Sequence, residues 1–251
     1  MDDVNSKSKI NIYYRLSDKG EIKDKLTKVT NRSCLENFFC EFDSNEVNII
    51  ADNITDHTYE WLKSYSVKSL HRTSLGNSAS FWYCYELALT RPAGEYVYFV
   101  ENDYIHREKS KEVLLEGLNI ADYVTLYDHP DKYVDGMNPG VKNGGEVSKV
   151  YLTESTHWKK TNSTTMTFAT RVSTLISDRF IFKLYSVGLL NRNSPIKIKK
   201  LMGRRVPADY RIFNILIRLK KRLLVSPVPG YTSHGEIDYL SPFTMWEKYL
   251  R

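Results

Sequence analysis

An α/β fold with a mixed, mainly parallel central sheet flanked by helices is what this 251-residue sequence predicts, and three observations carry that expectation. From Lys9 to about His106, short β-branched, aromatic and apolar runs alternate with stretches that repeat apolar residues at helical spacing, the order of successive βαβ units. The run Tyr96-Val97-Tyr98-Phe99-Val100 is apolar throughout and stops abruptly at Glu101-Asn102-Asp103. With 41% hydrophobic and 13% aromatic residues, the chain carries enough apolar surface for one large core.

The elements follow in order. Ile10 to Tyr14 is the first strand, and a polar turn leads to a helix with apolar spacing at Leu35, Phe38 and Phe39. Val47 to Ala51 is the second strand; it runs into Asp52-Asn53 and a helix around Thr58 to Leu62. A third strand, Val67 to Leu70, precedes Arg72-Thr73-Ser74-Leu75-Gly76-Asn77 and a long helix through Phe81, Tyr85 and Leu89. The fourth is Tyr96 to Val100. Beyond His106 the alternation loosens: a helix over Ser110 to Leu118 is followed by a fifth strand, Tyr123 to Tyr127.

A long loop then holds Pro130, Gly136, Pro139, Gly140, Gly144 and Gly145, and a patternless loop of that length suits a lid or an acceptor-binding segment. Strand character resumes at Lys149 to Leu152 and Thr165 to Ala169; Arg171 to Leu184 and Ala208 to Leu224 read as helices, and Leu224 to His234 as strand and loop. No repeat or linker divides the chain, so residues 1–251 are expected to form a single domain.

Cys34, Cys40 and Cys84 are odd in number and lack ligand spacing, which reads as reduced, buried thiols. No stretch approaches the ~20 apolar residues that span a bilayer, and the start Met1-Asp2-Asp3 carries no apolar leader, so a cytoplasmic protein is expected. The formal charge of +6 concentrates between Lys197 and Arg222, which points to an anionic partner. Its end, Arg218-Leu219-Lys220-Lys221-Arg222, suits peripheral contact with an anionic membrane face, and a solvated helix face has the same composition.

In an open α/β sheet, ligands bind outside the carboxyl ends of the strands. Arg15, Ser17, Asp52, Arg72, Asn77 and Asp103 all fall at such ends. Glu101-Asn102-Asp103 places carboxylates there, the oxygen ligands that Mg2+ and Mn2+ favour when phosphates complete the shell.

The succession of strands and polar ends resembles the GT-A glycosyltransferases, in particular family 2-like nucleotide-sugar transferases of bacteria and large viruses, from Lys9 to Trp246. Glu101-Asn102-Asp103 is similar to the family's DxD motif with glutamate in the first place. The resemblance implies a nucleotide-binding half over about 9–106 and an acceptor-binding half over about 107–251. It makes Asp52 the acid at the nucleobase, and Tyr14-Arg15-Leu16-Ser17-Asp18 a base- and ribose-contacting turn that lacks the usual proline. Arg72, Gly76, Asn77 and Asn102 become substrate-binding residues, with the helix start at Asn77 suited to a phosphate.

In the second half, Pro207-Ala208-Asp209 resembles the family's acidic pair at a helix start, with alanine replacing the first acid, and Asp209 matches the general base of inverting members. An aspartate there also serves as a helix cap. Pro229-Gly230-Tyr231-Thr232-Ser233-His234 resembles a late loop that supplies a histidine to the metal, which raises His234 above His71, His106, His129 and His157. The implied cofactor is Mn2+ or Mg2+, held by Asp103, Glu101 and His234. The implied partners are a nucleoside diphosphate sugar and a saccharide or lipid-linked saccharide acceptor.

Two other functions compete. A sugar-phosphate nucleotidyltransferase needs a Gly-rich basic loop after the first strand, and Arg15 to Gly20 is a poor version of one. A nucleic-acid-binding module would use the late basic segment, but acidic groups stand at the strand ends where phosphates would approach, so no nucleic acid is expected.

Overall fold

The computed structural model describes residues 9–19, 24–136, 138, 141–143, 145–186 and 208–250. The basic residues from Lys197 to Arg205, Pro139, Gly140, Gly144, Pro207, Gly20 and the polar start at Met1 lie outside them. The strands are β1 (Ile10–Leu16), β2 (Val47–Asp52), β3 (Ser69–Thr73), β4 (Tyr96–Glu101), β5 (Tyr104–His106), β6 (Tyr123–Val124), β7 (Val150–Leu152), β8 (His157–Lys160), β9 (Phe168–Arg171), β10 (Leu224–Val228) and β11 (Thr232–His234). The helices are α1 (Asn31–Glu41), α2 (Asp56–Lys63), α3 (Asn77–Leu89), α4 (Ser110–Ile120), α5 (Val172–Ser186) and α6 (Ala208–Lys220).

Nine strands form one sheet in the order β3-β2-β1-β4-β9-β6-β10-β8-β7. The pairs β1–β2, β1–β4, β2–β3 and β6–β10 are parallel, and β8 and β9 run against their neighbours, so the sheet is mixed and mainly parallel. Both sequence halves contribute strands to it.

Period-two alternation divides the core between the faces. Ile12, Tyr14, Leu16, Tyr98 and Val100 pack on one side with Leu35, Phe38, Phe42, Leu114 and Leu118 of the α1 and α4 layer. Tyr13, Val97 and Phe99 point to the other, against Phe81, Tyr85, Phe182 and Phe213 of α3, α5 and α6. With both faces covered, β4 has no solvent side, which is why its sequence is apolar from Tyr96 to Val100.

Several expected elements shift. The third strand lies at Ser69–Thr73, later than the Val67 to Leu70 run, and the fifth is cut to Tyr123–Val124, with Tyr127 keeping only a bridge to Thr232. Thr165 and Met166 are not strand at all: their φ values of 47° and 59° belong to a left-handed turn that leads into β9. Cys34 and Cys84 are buried, and burial pushes each thiol up to about 12, but Cys40 is exposed on the outer face of α1.

Candidate functional site

The site is built where β4 ends. Asp103 lies two residues past the last residue of the strand, in the turn that reverses the chain into β5, which pairs antiparallel with β11 so that His234 stands opposite Tyr104. This two-stranded ribbon delivers a residue from the far end of the sequence to the end of β4. Gly235 then donates its N–H to the Asp103 carbonyl at 2.8 Å. A Cβ at Gly235 would lie 2.6 Å from Val29 Cγ1 and 3.2 Å from that carbonyl, so only glycine permits this approach.

A third strand segment closes the cluster. Lys25 and Glu236 form an antiparallel bridge, with Leu26 N–H donating to the Gly235 carbonyl at 3.0 Å and Ile237 N–H to the Asp24 carbonyl at 2.9 Å. Ligand atoms of Asp103, His234 and Glu236 consequently lie within 4.8 Å of one another. His234 Nε2 is 3.4 Å from Asp103 Oδ2, and His234 Nδ1 is 3.5 Å from Glu236 Oε1. Lys25 Nζ donates to Asp103 Oδ2 at 2.9 Å. The two carboxylates are the oxygen donors that Mn2+ and Mg2+ favour, the imidazole fits Mn2+ better than Mg2+, and the buried His234 Nδ1 makes no hydrogen bond among the described residues.

Glu101 takes a different place. Opposite Arg15 in the β1–β4 register, it forms an ion pair with that guanidinium and stands outside the Asp103, His234 and Glu236 cluster. Burial raises the Glu101 carboxyl above its usual range, against the opposing pull of Arg15. Arg15 also donates to the Asn77 carbonyl at 2.7 Å, to Asn77 Oδ1 at 3.1 Å and to Ser80 Oγ at 3.1 Å, so the start of α3 is fastened to the ends of β1 and β4.

Asp52 organises the neighbouring loop. Its carboxylate accepts from Thr73 Oγ1 at 2.8 Å, Leu75 N at 2.6 Å, Gly76 N at 2.9 Å and Asn53 Nδ2 at 2.7 Å. Burial works to raise its pKa, but these hydrogen bonds outweigh it and hold the carboxyl below the usual range. Gly76 enters α3 at φ 82°, a conformation that disfavours any other residue. Asn102 donates through Nδ2 to Asn31 Oδ1, and Asn31 donates in turn to the Ser17 carbonyl and Asp18 Oδ1, both at 3.1 Å. Arg72 reaches outward on edge strand β3 to Asp56 Oδ1 at 2.6 Å and lies over the Tyr59 ring.

On the other side of β4, Asp209 Oδ2 accepts from Ser163 Oγ and Thr165 N, each at 2.9 Å. It therefore pins the left-handed Thr165-Met166 turn, and one residue further on Thr167 Oγ1 accepts from Glu101 N at 3.2 Å. The loop after Tyr127 is tied down by buried charge. Lys159 pairs with Asp128 at 2.5 Å, and Lys132, 1% exposed, reaches Asn162 Oδ1 at 2.5 Å and Glu146 at 3.7 Å. The basic end of α6 is partly spent inside the fold: Lys220 and Arg222 converge on the fully buried Asp178 at 3.2 and 2.9 Å, and Arg222 also holds Asp122. Among the described residues, no helix is long and apolar enough to cross a membrane.

Glu236, Lys25 and Asn31 are absent from the sequence-based candidates. Glu236 lies two residues beyond His234, a spacing that puts both side chains on one side of an extended segment, and this was the available signal. Nothing local marks Lys25, whose position depends on pairing with a strand from the opposite end of the chain.

The fold and site define an α/β protein with a cation-type side-chain cluster at the carboxyl end of a mainly parallel sheet. No family model and no curated protein matches the chain. Among solved structures, it is similar to S. aureus TarS 1–349, with a TM-score of 0.46 and 16% identity over 87% of this chain and 57% of that one. It is also similar to the apo form of the glycosyltransferase GlyE of Streptococcus pneumoniae TIGR4 (TM-score 0.44, 11% identity, 86% and 44% coverage). A cytidylyltransferase from Leptospira borgpetersenii serovar Hardjo-bovis is similar too (TM-score 0.42, 14% identity, 72% and 69% coverage). The chain spans 57% of the length of the TarS fragment.

Proposed function

We propose that this chain is a GT-A glycosyltransferase that moves a sugar from a nucleoside diphosphate donor to a hydroxyl of a saccharide or lipid-linked saccharide, with inversion at the anomeric carbon. The observation that carries this reading is the convergence of Asp103, His234 and Glu236 at the carboxyl end of β4, the end of the strands at which open α/β sheets bind ligands. Asp103, His234 and Glu236 hold Mn2+ or Mg2+. When bound, the ion neutralises charge developing on the departing diphosphate. Asp52 positions the Leu75-Gly76 turn at the nucleoside, and Arg15, paired with Glu101, fixes the start of α3 beside the phosphates. Ser17, Asn77 and Asn102, which follow β1, β3 and β4 at the same end of the sheet, contact the donor. Asp209 takes the proton of the acceptor hydroxyl as that oxygen attacks opposite the diphosphate.

Thermal stabilisation by nucleoside diphosphates, with and without Mn2+, tests the reading directly. A ligand a hundredfold above its dissociation constant should add ~2.7 kcal/mol to the folded state. Stabilisation by at least one nucleoside diphosphate, larger with Mn2+, is expected. No response to any member of the panel would end the proposal, and a response confined to a nucleoside triphosphate with a sugar phosphate would favour the nucleotidyltransferase reading.

Asp52 gives a separable expectation. Asp52→Ala leaves the Leu75 and Gly76 amides and the Thr73 hydroxyl without their shared acceptor, so stability should fall by roughly 2–3 kcal/mol, as for other abandoned buried donors. Nucleoside diphosphate affinity should fall by a similar factor with and without Mn2+, because the turn rather than the cation site is disturbed. A loss seen only in Mn2+, by calorimetric titration, would contradict this placement.

A further inference from the structure

We infer that the Lys25 ammonium is a built-in occupant of the cation site, and that a divalent cation reaches Asp103, His234 and Glu236 only by displacing it. The inference rests on the cation-dependent reading above and adds a competitor to it. Lys25 Nζ and His234 Nε2 converge on the same oxygen, Asp103 Oδ2, at 2.9 and 3.4 Å. Lys25 is no side chain that has swung in from a loop: its backbone pairs with Glu236, and the Leu26 to Gly235 and Ile237 to Asp24 hydrogen bonds fix the register.

The chemistry accounts for the arrangement. Asp103 and Glu236 bring two carboxylates together in a site where their side chains are 15% and 8% exposed, and like charges at such spacing raise the cost of ionising both. An ammonium offsets one of those charges in the absence of metal. It cannot remain when a doubly charged cation takes the same oxygen, because the two positive charges would lie within a few ångströms. The lysine stem is flexible, and at 27% exposure the Lys25 side chain has a route to solvent, so exchange needs no change in the backbone. His234 supplies the second mark of a ligand site. Its side chain is 7% exposed, and Nδ1 is buried without a hydrogen bond among the described residues, close to Glu236.

The test is titration of the apo protein with Mn2+ alone by calorimetry, for wild type, Lys25→Met and Lys25→Gln. Both variants remove the charge, and glutamine keeps a polar, neutral donor on a shorter side chain should methionine impair folding. Mn2+ affinity is expected to rise about tenfold in each, the factor that corresponds to the loss of one competing ion pair of ~1.4 kcal/mol. Melting in EDTA should move down in the variants, where the carboxylates lose their counter-charge, and recover on addition of Mn2+. Lys25→Arg keeps the charge and should stay near wild type. Equal or weaker Mn2+ binding by Lys25→Met and Lys25→Gln would overturn the inference. If nucleoside diphosphate binding in Mn2+ persisted in that case, the glycosyltransferase reading would stand without it. If neither wild type nor variants bound Mn2+ or a nucleoside diphosphate, both would fall together.

Discussion

Asp103→Ala should remove Mn2+-dependent binding of a nucleoside diphosphate while the protein stays folded. Asp103 is the point at which the site's charges meet, with Lys25 and His234 both on Oδ2 and Glu236 within ligand reach. Alteration of a residue that merely supports a metal ligand typically costs 10- to 100-fold in affinity, and loss of a ligand itself should exceed about 100-fold. The fold should tolerate the change. Asp103 lies in the turn after β4 rather than in the core, and the hydrogen bond from Gly235 is to its backbone carbonyl, which alanine retains. Lys25 would lose its partner on Asp103 but keep Glu236 as a backbone neighbour. Calorimetric titration with a nucleoside diphosphate in Mn2+ and in EDTA, alongside the melting temperature, measures both parts. Unchanged affinity in Mn2+ would take away the central element of the functional proposal.

The residues that converge on Asp103 explain what the sequence could and could not reveal. Strands β1, β2 and β4 and helices α1, α3 and α4 were legible because each is long, and because burial on defined faces imposes its own period on the residues. The polar strand ends were legible for the same reason, since an apolar run makes its own terminus conspicuous. Strand β5 was not, because Tyr104-Ile105-His106 is three residues long and exists only through pairing with β11 near the other end of the chain. Lys25 is hidden by the same fact, since its bridge to Glu236 is a tertiary event with no local pattern, whereas Glu236 carried one local mark, its two-residue spacing from His234.

Thr165-Met166-Thr167-Phe168-Ala169 misled by composition. Its β-branched and aromatic residues favour a strand, but the hydrogen bonds to Asp209 hold its first residues in a left-handed turn. Of the basic run that ends α6, Lys220 and Arg222 are drawn inward by the buried carboxylate of Asp178, a tertiary contact that composition does not reveal.

The Asp209 contacts also set the terms of the most demanding experiment, which separates catalysis from architecture. Asp209→Asn should lower turnover by about 10²- to 10⁴-fold, the usual contribution of a general base, with donor affinity nearly unchanged. An asparagine side-chain carbonyl can still accept from Ser163 Oγ and Thr165 N, so the turn beside Glu101 should persist. What the amide cannot do is take a proton from the acceptor hydroxyl as the new bond forms. A loss confined to kcat, with KM for the donor and the melting temperature close to wild type, is the signature of an interaction made in the transition state. Asp209→Ala provides the contrast, because it abandons the Thr165 amide and should lower the melting temperature as well as the rate. Steady-state transfer to an acceptor, measured with both variants, decides the role. If Asp209→Asn turned over at the wild-type rate, Asp209 would be an anchor for the Thr165-Met166 turn alone, and the base would have to be sought elsewhere on the acceptor side, where Glu154 stands exposed between β7 and β8.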